Sequence, residues 1–165
     1  MAAEYSIVTP QTVAPNQPAV FLDAPCPCNQ GFIFKKSGGV FLLASNAPND
    51  NQNGRGCSCG CGCGRRLYMT DYGVEIHMNV EIPTGGTVEE IQFAIAVDGV
   101  IDPASIMSAV PAAVEEPSNV GTSVVVSVPS ICGCDSVAVV NASTQPLTIN
   151  NASLMFTYEG VRRIR

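Results

Sequence analysis

Eight cysteines stand in four Cys-x-Cys pairs: Cys26/Cys28, Cys57/Cys59, Cys61/Cys63 and Cys132/Cys134. In an extended chain, residues i and i+2 point to the same side, so each pair presents two sulfurs together. Three chemistries follow from that geometry. One pair can bond to another, for example Cys26/Cys28 to Cys132/Cys134, each disulfide contributing about 2–4 kcal/mol by restricting the unfolded chain. Two pairs can supply four thiolates to a tetrahedral zinc ion, with Cys57, Cys59, Cys61 and Cys63 as the expected ligands because the intervening glycines permit tight wrapping. All eight can also stay reduced as small apolar fillers. The usual zinc spacing is Cys-x2-Cys, and the shorter spacing here favours disulfides over metal. The run from Cys57 to Cys63 lies in a loop able to reach a neighbouring subunit, so bonds between subunits belong to the same expectation.

The remaining chemistry-bearing residues do not assemble into a catalytic set. His77 is the single histidine, on the polar side of an alternating segment, with no nearby nucleophile in sequence; a solvated or interface role is expected. Asp98, Asp102, Glu89, Glu90, Glu115 and Glu116 could gather around calcium, but turn chemistry and solvated loops account for them first. There is no phosphate-binding glycine loop, nucleophile elbow or His-Glu-x-x-His run. Asn141-Ala-Ser143 and Asn151-Ala-Ser153 match the glycosylation pattern, yet both asparagines are expected to serve turns. Tyr5, Tyr68, Tyr72 and Tyr158 would form an aromatic platform for carbohydrate only if the fold brought them together. No enzyme is expected.

The chain that must position these groups has 165 residues, one domain in length, and is 46% hydrophobic but only 13% charged. That charged share is about half the usual one, which suggests that much of the surface is covered, most simply by copies of the same chain. A net charge of −6 argues against a nucleic-acid partner. Arg65/Arg66 and the closing Arg162, Arg163 and Arg165 read as solvated clusters. The opening MAAEYSIVTP shows no secretory signal, and the apolar runs are too short to span a membrane.

Proline and glycine interrupt every helical window, and the apolar runs are rich in Val, Ile, Phe and Thr. The expected strands are Ser6 to Val13, Ala19 to Leu22, Gly31 to Lys36, Val40 to Ala44, Arg66 to Ile82 (one strand or two) and Val88 to Asp98. Val100 to Ile101, Val120 to Val128, Ser136 to Asn141 and Leu147 to Tyr158 complete the set. Val74 to Ile82 alternates strictly, as a half-buried strand does. Ile91, Phe93, Ile95 and Val97 share one side; the alanines opposite suggest close approach by another sheet or subunit. Asp98-Gly99, Pro83 to Gly86 and Asn141 to Pro146 read as turns, and Ala104 to Val114 as a loop hemmed in by prolines. The expected architecture is all-β: a two-sheet antiparallel jelly-roll sandwich of about ten strands with a Cys/Gly-rich loop insertion at 45–64. Residues 1–14 form an extended N-terminal arm or first strand, and 15–165 a single jelly-roll domain.

Three stretches carry a resemblance. IPTGGTVEEIQFAIAVDGVIDPAS at Ile82 to Ser105 and VSVPSICGCDSVAVVNASTQPLTINNASLMFTYEGVRR from Val126 to Arg163 resemble the globular heads of the tumour necrosis factor/complement type, especially their bacterial and phage relatives. The opening VTPQTVAPNQPAVFLDAP resembles the first strands of phage versions. The resemblance implies a compact homotrimer with an apolar three-fold axis, acting as a capsid decoration or head-fibre protein on a virion; a bacterial spore or cell surface is the alternative location. Particle surface proteins would be the partners. A zinc-binding module, or a glycan- or receptor-binding head, are the other functions that stay open. No Gly-X-Y tract precedes the domain, and the CSCGCGCG insertion lies outside the family pattern.

Overall fold

The computed structural model describes residues 2–23, 33–45, 68–129 and 134–163. Its strands are β1 (Ala2–Ile7), β2 (Gln11–Val13), β3 (Leu22–Asp23), β4 (Ile33–Lys35), β5 (Val40–Ala44) and β6 (Tyr68–Glu81). They continue with β7 (Ile91–Val97), β8 (Val100–Ile101), β9 (Met107–Ala109), β10 (Ser118–Pro129), β11 (Cys134–Asn141) and β12 (Leu147–Arg163). Two short 3-10 turns, Ser37–Gly39 and Pro103–Ser105, are the helical content among the described residues.

The strands form two six-stranded sheets. The first runs β10-β6-β12-β1-β3, with β2 also on β12; the second runs β4-β5-β11-β7-β8, with β9 also on β7. Pairing is antiparallel throughout these ladders. This is the expected jelly-roll sandwich.

Period-two alternation drives it. Along β6, Tyr72, Val74, Ile76, Met78 and Val80 are buried while the residues between them face out. β6 is one continuous strand, because Gly73, its only flexible residue, is held in register on both sides, by Val125 and Thr157. Between the sheets Phe41 stacks with Tyr5 (ring centroids 4.6 Å) and Phe156 (5.0 Å), placing tilted aromatic pairs at the centre of the sandwich. Ser105 closes a neighbouring gap, its Oγ accepting from Ile95 N and donating to Asp102 O.

Several boundaries depart from the sequence expectation. Of the arm or first strand expected at residues 1–14, a strand is present: β1 lies inside the first sheet between β12 and β3, with Ala3, Tyr5 and Ile7 buried. Thr9-Pro10 splits the expected single strand, since proline removes a ladder donor. Part of the expected 104–114 loop is β9, paired with β7 through Ile91↔Ala109. β12 extends to Arg163, so Arg162 belongs to a strand; its side chain stays exposed while its Nε donates to Asp71 Oδ2 at 2.9 Å. Ala94 and Ala96 are buried on the outer face of the second sheet, beside Val140, Ala138 and Ile101 of this same chain. No second subunit is needed to shelter them.

The expected turns form. Asp98 (φ 50°) and Gly99 (φ 78°) close the β7–β8 hairpin in the left-handed region that such two-residue turns require. Asn141, fully buried, donates from Nδ2 to Val13 O and Gln145 O, and its Oδ1 accepts from Ser143 N, each at 2.9 Å. It fastens β11 to β2 and to the turn before β12.

Candidate functional site

The sandwich has two unlike ends. At one, Cys134 stands opposite Ala44, Ile33 opposite Leu43, Pro129 opposite Met69 and Tyr68 opposite Arg163. Ser45 Oγ meets Thr70 Oγ1 at 3.2 Å and Tyr72 Oη donates to Ala44 O, which ties the two sheets together there. Cys134 is the one cysteine among the described residues; Cys26, Cys28, Cys57, Cys59, Cys61, Cys63 and Cys132 lie outside them, as does most of the expected 45–64 insertion. The disulfide and zinc expectations therefore fall on undescribed residues. The described residues that flank the long cysteine-bearing stretch, Ser45 and Tyr68, both belong to this end.

Asp135 follows Cys134 and is buried at the same end. Burial, and then the nearby Asp98 carboxylate, hold its carboxyl above the usual range. Asp98 itself ties the hairpin to β11, its Oδ1 accepting from Ser136 N at 2.7 Å. The other carboxylates weighed for calcium are dispersed: Asp102 caps Ala104 N, Glu89 accepts from Thr144 and Glu115 from Thr84. Among the described residues no three metal-ligating side chains converge.

β10 pairs with β6 on one side, and its other side takes no strand among the described residues. None of its twelve residues is charged. Natural edges of that length are ordinarily guarded by lysine, proline or a bulge, and only the terminal Pro129 does so here. Val125 of this edge is 56% exposed and Met155 on β12 is 37% exposed, both on the outer face of the first sheet. The apolar strands expected to carry the core do so through Val126, Val128, Ile91 and Phe156, but Val125 points the other way.

Toward the opposite end, that same outer face holds a groove of about 640 Å³. A bulge between Ile149 and Asn151 places Asn150 and Asn151 on the outer face in succession. Asn150 Nδ2 donates to Glu81 Oε2 at 2.9 Å and to Asn79 Oδ1 at 3.3 Å. Asn79 Nδ2 in turn donates to Asn119 Oδ1 at 2.9 Å. Three amides thus cross β12, β6 and β10 in one direction, set by the Glu81 acceptor. One rung away, Ser153, His77 and Gly121 stand in register. A Cβ on Gly121 would come within 2.8 Å of His77 Nδ1 and 2.9 Å of Ile76 O, so glycine leaves room for the imidazole. His77 is exposed and paired with Glu75 Oε1 at 2.9 Å.

Sequence reasoning placed His77 on a polar face correctly but missed this groove. Asn151, expected in a turn, lies in strand β12; the bulge that re-aims it leaves no mark in the hydrophobic alternation. The four tyrosines form no platform, since Tyr5 and Tyr72 are buried in the core.

No protein-family model matches the chain, and no curated protein matches it in sequence. Solved structures do. The Eiger tumour necrosis factor of S. frugiperda superposes with a TM-score of 0.59 at 11% identity, over 96% of this chain and 91% of that one. The globular domain of zebrafish complement 1qA superposes with a TM-score of 0.51 at 11% identity, over 99% and 98%. At such identities the likeness establishes the fold alone: a jelly-roll sandwich of the tumour necrosis factor/complement type.

Proposed function

We propose that this chain is a non-enzymatic, self-associating head domain: a homotrimer that decorates a virion, on the capsid surface or as a head fibre, with its cysteines cross-linking the assembly at one end. The observation that carries the reading is the β10 edge, long and uncharged, with Val125 exposed on its outer face. Such an edge is a template for association unless a partner covers it, and a sister copy is the partner always present at matching concentration. The head fold and the 13% charged composition support the same conclusion.

The test is the mass of the native protein by light scattering, paired with denaturing gels with and without reductant. A trimer whose subunits separate on the gel only after reduction is expected. A monomer at every concentration refutes self-association, and protein found away from purified particles by mass spectrometry refutes decoration.

A zinc-binding reading is favoured by one specific observation: Ser45, Tyr68 and Cys134 bring the ends of two cysteine-bearing stretches to a single end of the sandwich. Stoichiometric zinc in protein purified under reducing conditions would select it over cross-linking.

A further inference from the structure

We infer that the rung of three amides, Asn150, Asn79 and Asn119, sets the register of the contact between copies, its vacant donors taking backbone carbonyls on the β10 edge of a sister chain. The inference rests on the homotrimer proposed above and names what holds it to one geometry. β10 has little with which to choose a register by itself. From Ser118 to Pro129 it is uncharged, and small polar residues and valines recur along it; an edge of that kind slides readily against a partner. On the side away from β6 its backbone N–H and C=O groups meet no strand among the described residues. A contact that buries those groups must satisfy them.

The groove offers donors at fixed places. Because the ionised Glu81 only accepts, Asn150 Nδ2 donates to it and to Asn79 Oδ1, and Asn79 Nδ2 donates onward to Asn119 Oδ1. Asn119 Nδ2 is left, at an exposed residue, with no acceptor among the described residues, and so is the amide of the exposed Asn151. A carbonyl of the sister edge over each of these donors completes a site that one chain leaves unfinished. Slid out of step, the edge sets its N–H groups against the same amides, and donors then face donors with water excluded. The groove has no lysine or arginine and the edge no charge, so hydrogen bonds rather than ionic attraction decide the fit. Asn119 and Gly121 line the groove and belong to β10, which makes groove and edge one continuous surface. Copies joined edge to groove make a head-to-tail contact, and three of them close a ring.

The test uses the whole chain, followed by sedimentation velocity and native mass spectrometry over a concentration series. Asn119→Asp keeps the acceptor that Asn79 Nδ2 needs and removes the outgoing donors; Asn151→Ala removes the other amide. Each should weaken association about tenfold and turn a single trimer into a mixture of dimers, trimers and larger species. Phe34→Ser, at an exposed residue of the second sheet, should leave mass and affinity unchanged. Exchange of the Asn119 side-chain amide hydrogens, read by NMR, should be about tenfold slower in the assembled parent than in free asparagine. This reading decides the matter should a variant fail to fold. Homogeneous trimers of parental affinity in both variants overturn the inference and leave the homotrimer standing, as does an assembled parent whose Asn119 amide exchanges as freely as asparagine in solution. A monomeric parent refutes the homotrimer itself, and the inference with it.

Discussion

Replacing Val125 by lysine tests the β10 edge without disturbing the sandwich. Val125 points away from the core, and its partner across the ladder is Gly73, so a longer side chain meets no neighbour on β6. Its exposure of 56% is the part available for burial by a sister copy. Full burial of a valine is worth about 1.5–3 kcal/mol, so covering that part contributes about 1 kcal/mol per contact. Lysine removes that gain and adds about 2 kcal/mol for desolvating an ammonium, a cost that snorkelling reduces but does not abolish. A loss of about 3 kcal/mol per contact weakens each interface by roughly a hundredfold. Light scattering over a concentration series should show Val125→Lys dissociating where the parent protein stays assembled. Circular dichroism should show an unchanged sandwich. If the variant keeps the parental mass down to the lowest concentration, the edge is not the contact and the reasoning fails.

Asn141→Ala should cost about 3 kcal/mol in urea unfolding, since it deletes three hydrogen bonds and strands the buried carbonyl of Val13 and the part-buried one of Gln145; a loss below about 1 kcal/mol would show that water replaces the amide. Asp135 has a folded-state pKa raised by burial and by Asp98, so the native state holds its proton more tightly than the unfolded chain does. Stability therefore falls as pH rises from the ordinary aspartate value of 3.8 through the raised one, and Asp135→Asn should flatten that part of a melting-temperature profile. An unchanged slope in the variant would assign the pH dependence elsewhere.

The sandwich was legible because its strands alternate. Val74 to Ile82 declared its buried side residue by residue, and Asp98-Gly99 declared its hairpin. The misreadings share a cause: local signals outweighed by pairing. Ser6 to Val13 read as one strand, yet β1 begins at Ala2 and finds a full ladder on β12 up to Ile7. Met107 to Ala109 is too short to announce itself and becomes a strand only because β7 offers Ile91 to Phe93. Ala94 and Ala96 suggested a covering subunit, but flanking strands of this chain shelter them. The groove was invisible for a different reason. Its asparagines lie far apart in sequence, at 79, 119 and 150–151, and a bulged residue brings the last pair to the surface.

The register of β6 also sets a distance. From Met69, opposite Pro129, to Asn79 in the amide rung, ten residues of strand span about 33 Å at about 3.3 Å each. Ionic fields in physiological salt decay over about 8 Å. A charge placed at the Cys134 end is thus screened from the amide rung, and either extremity can be re-engineered without retuning its counterpart.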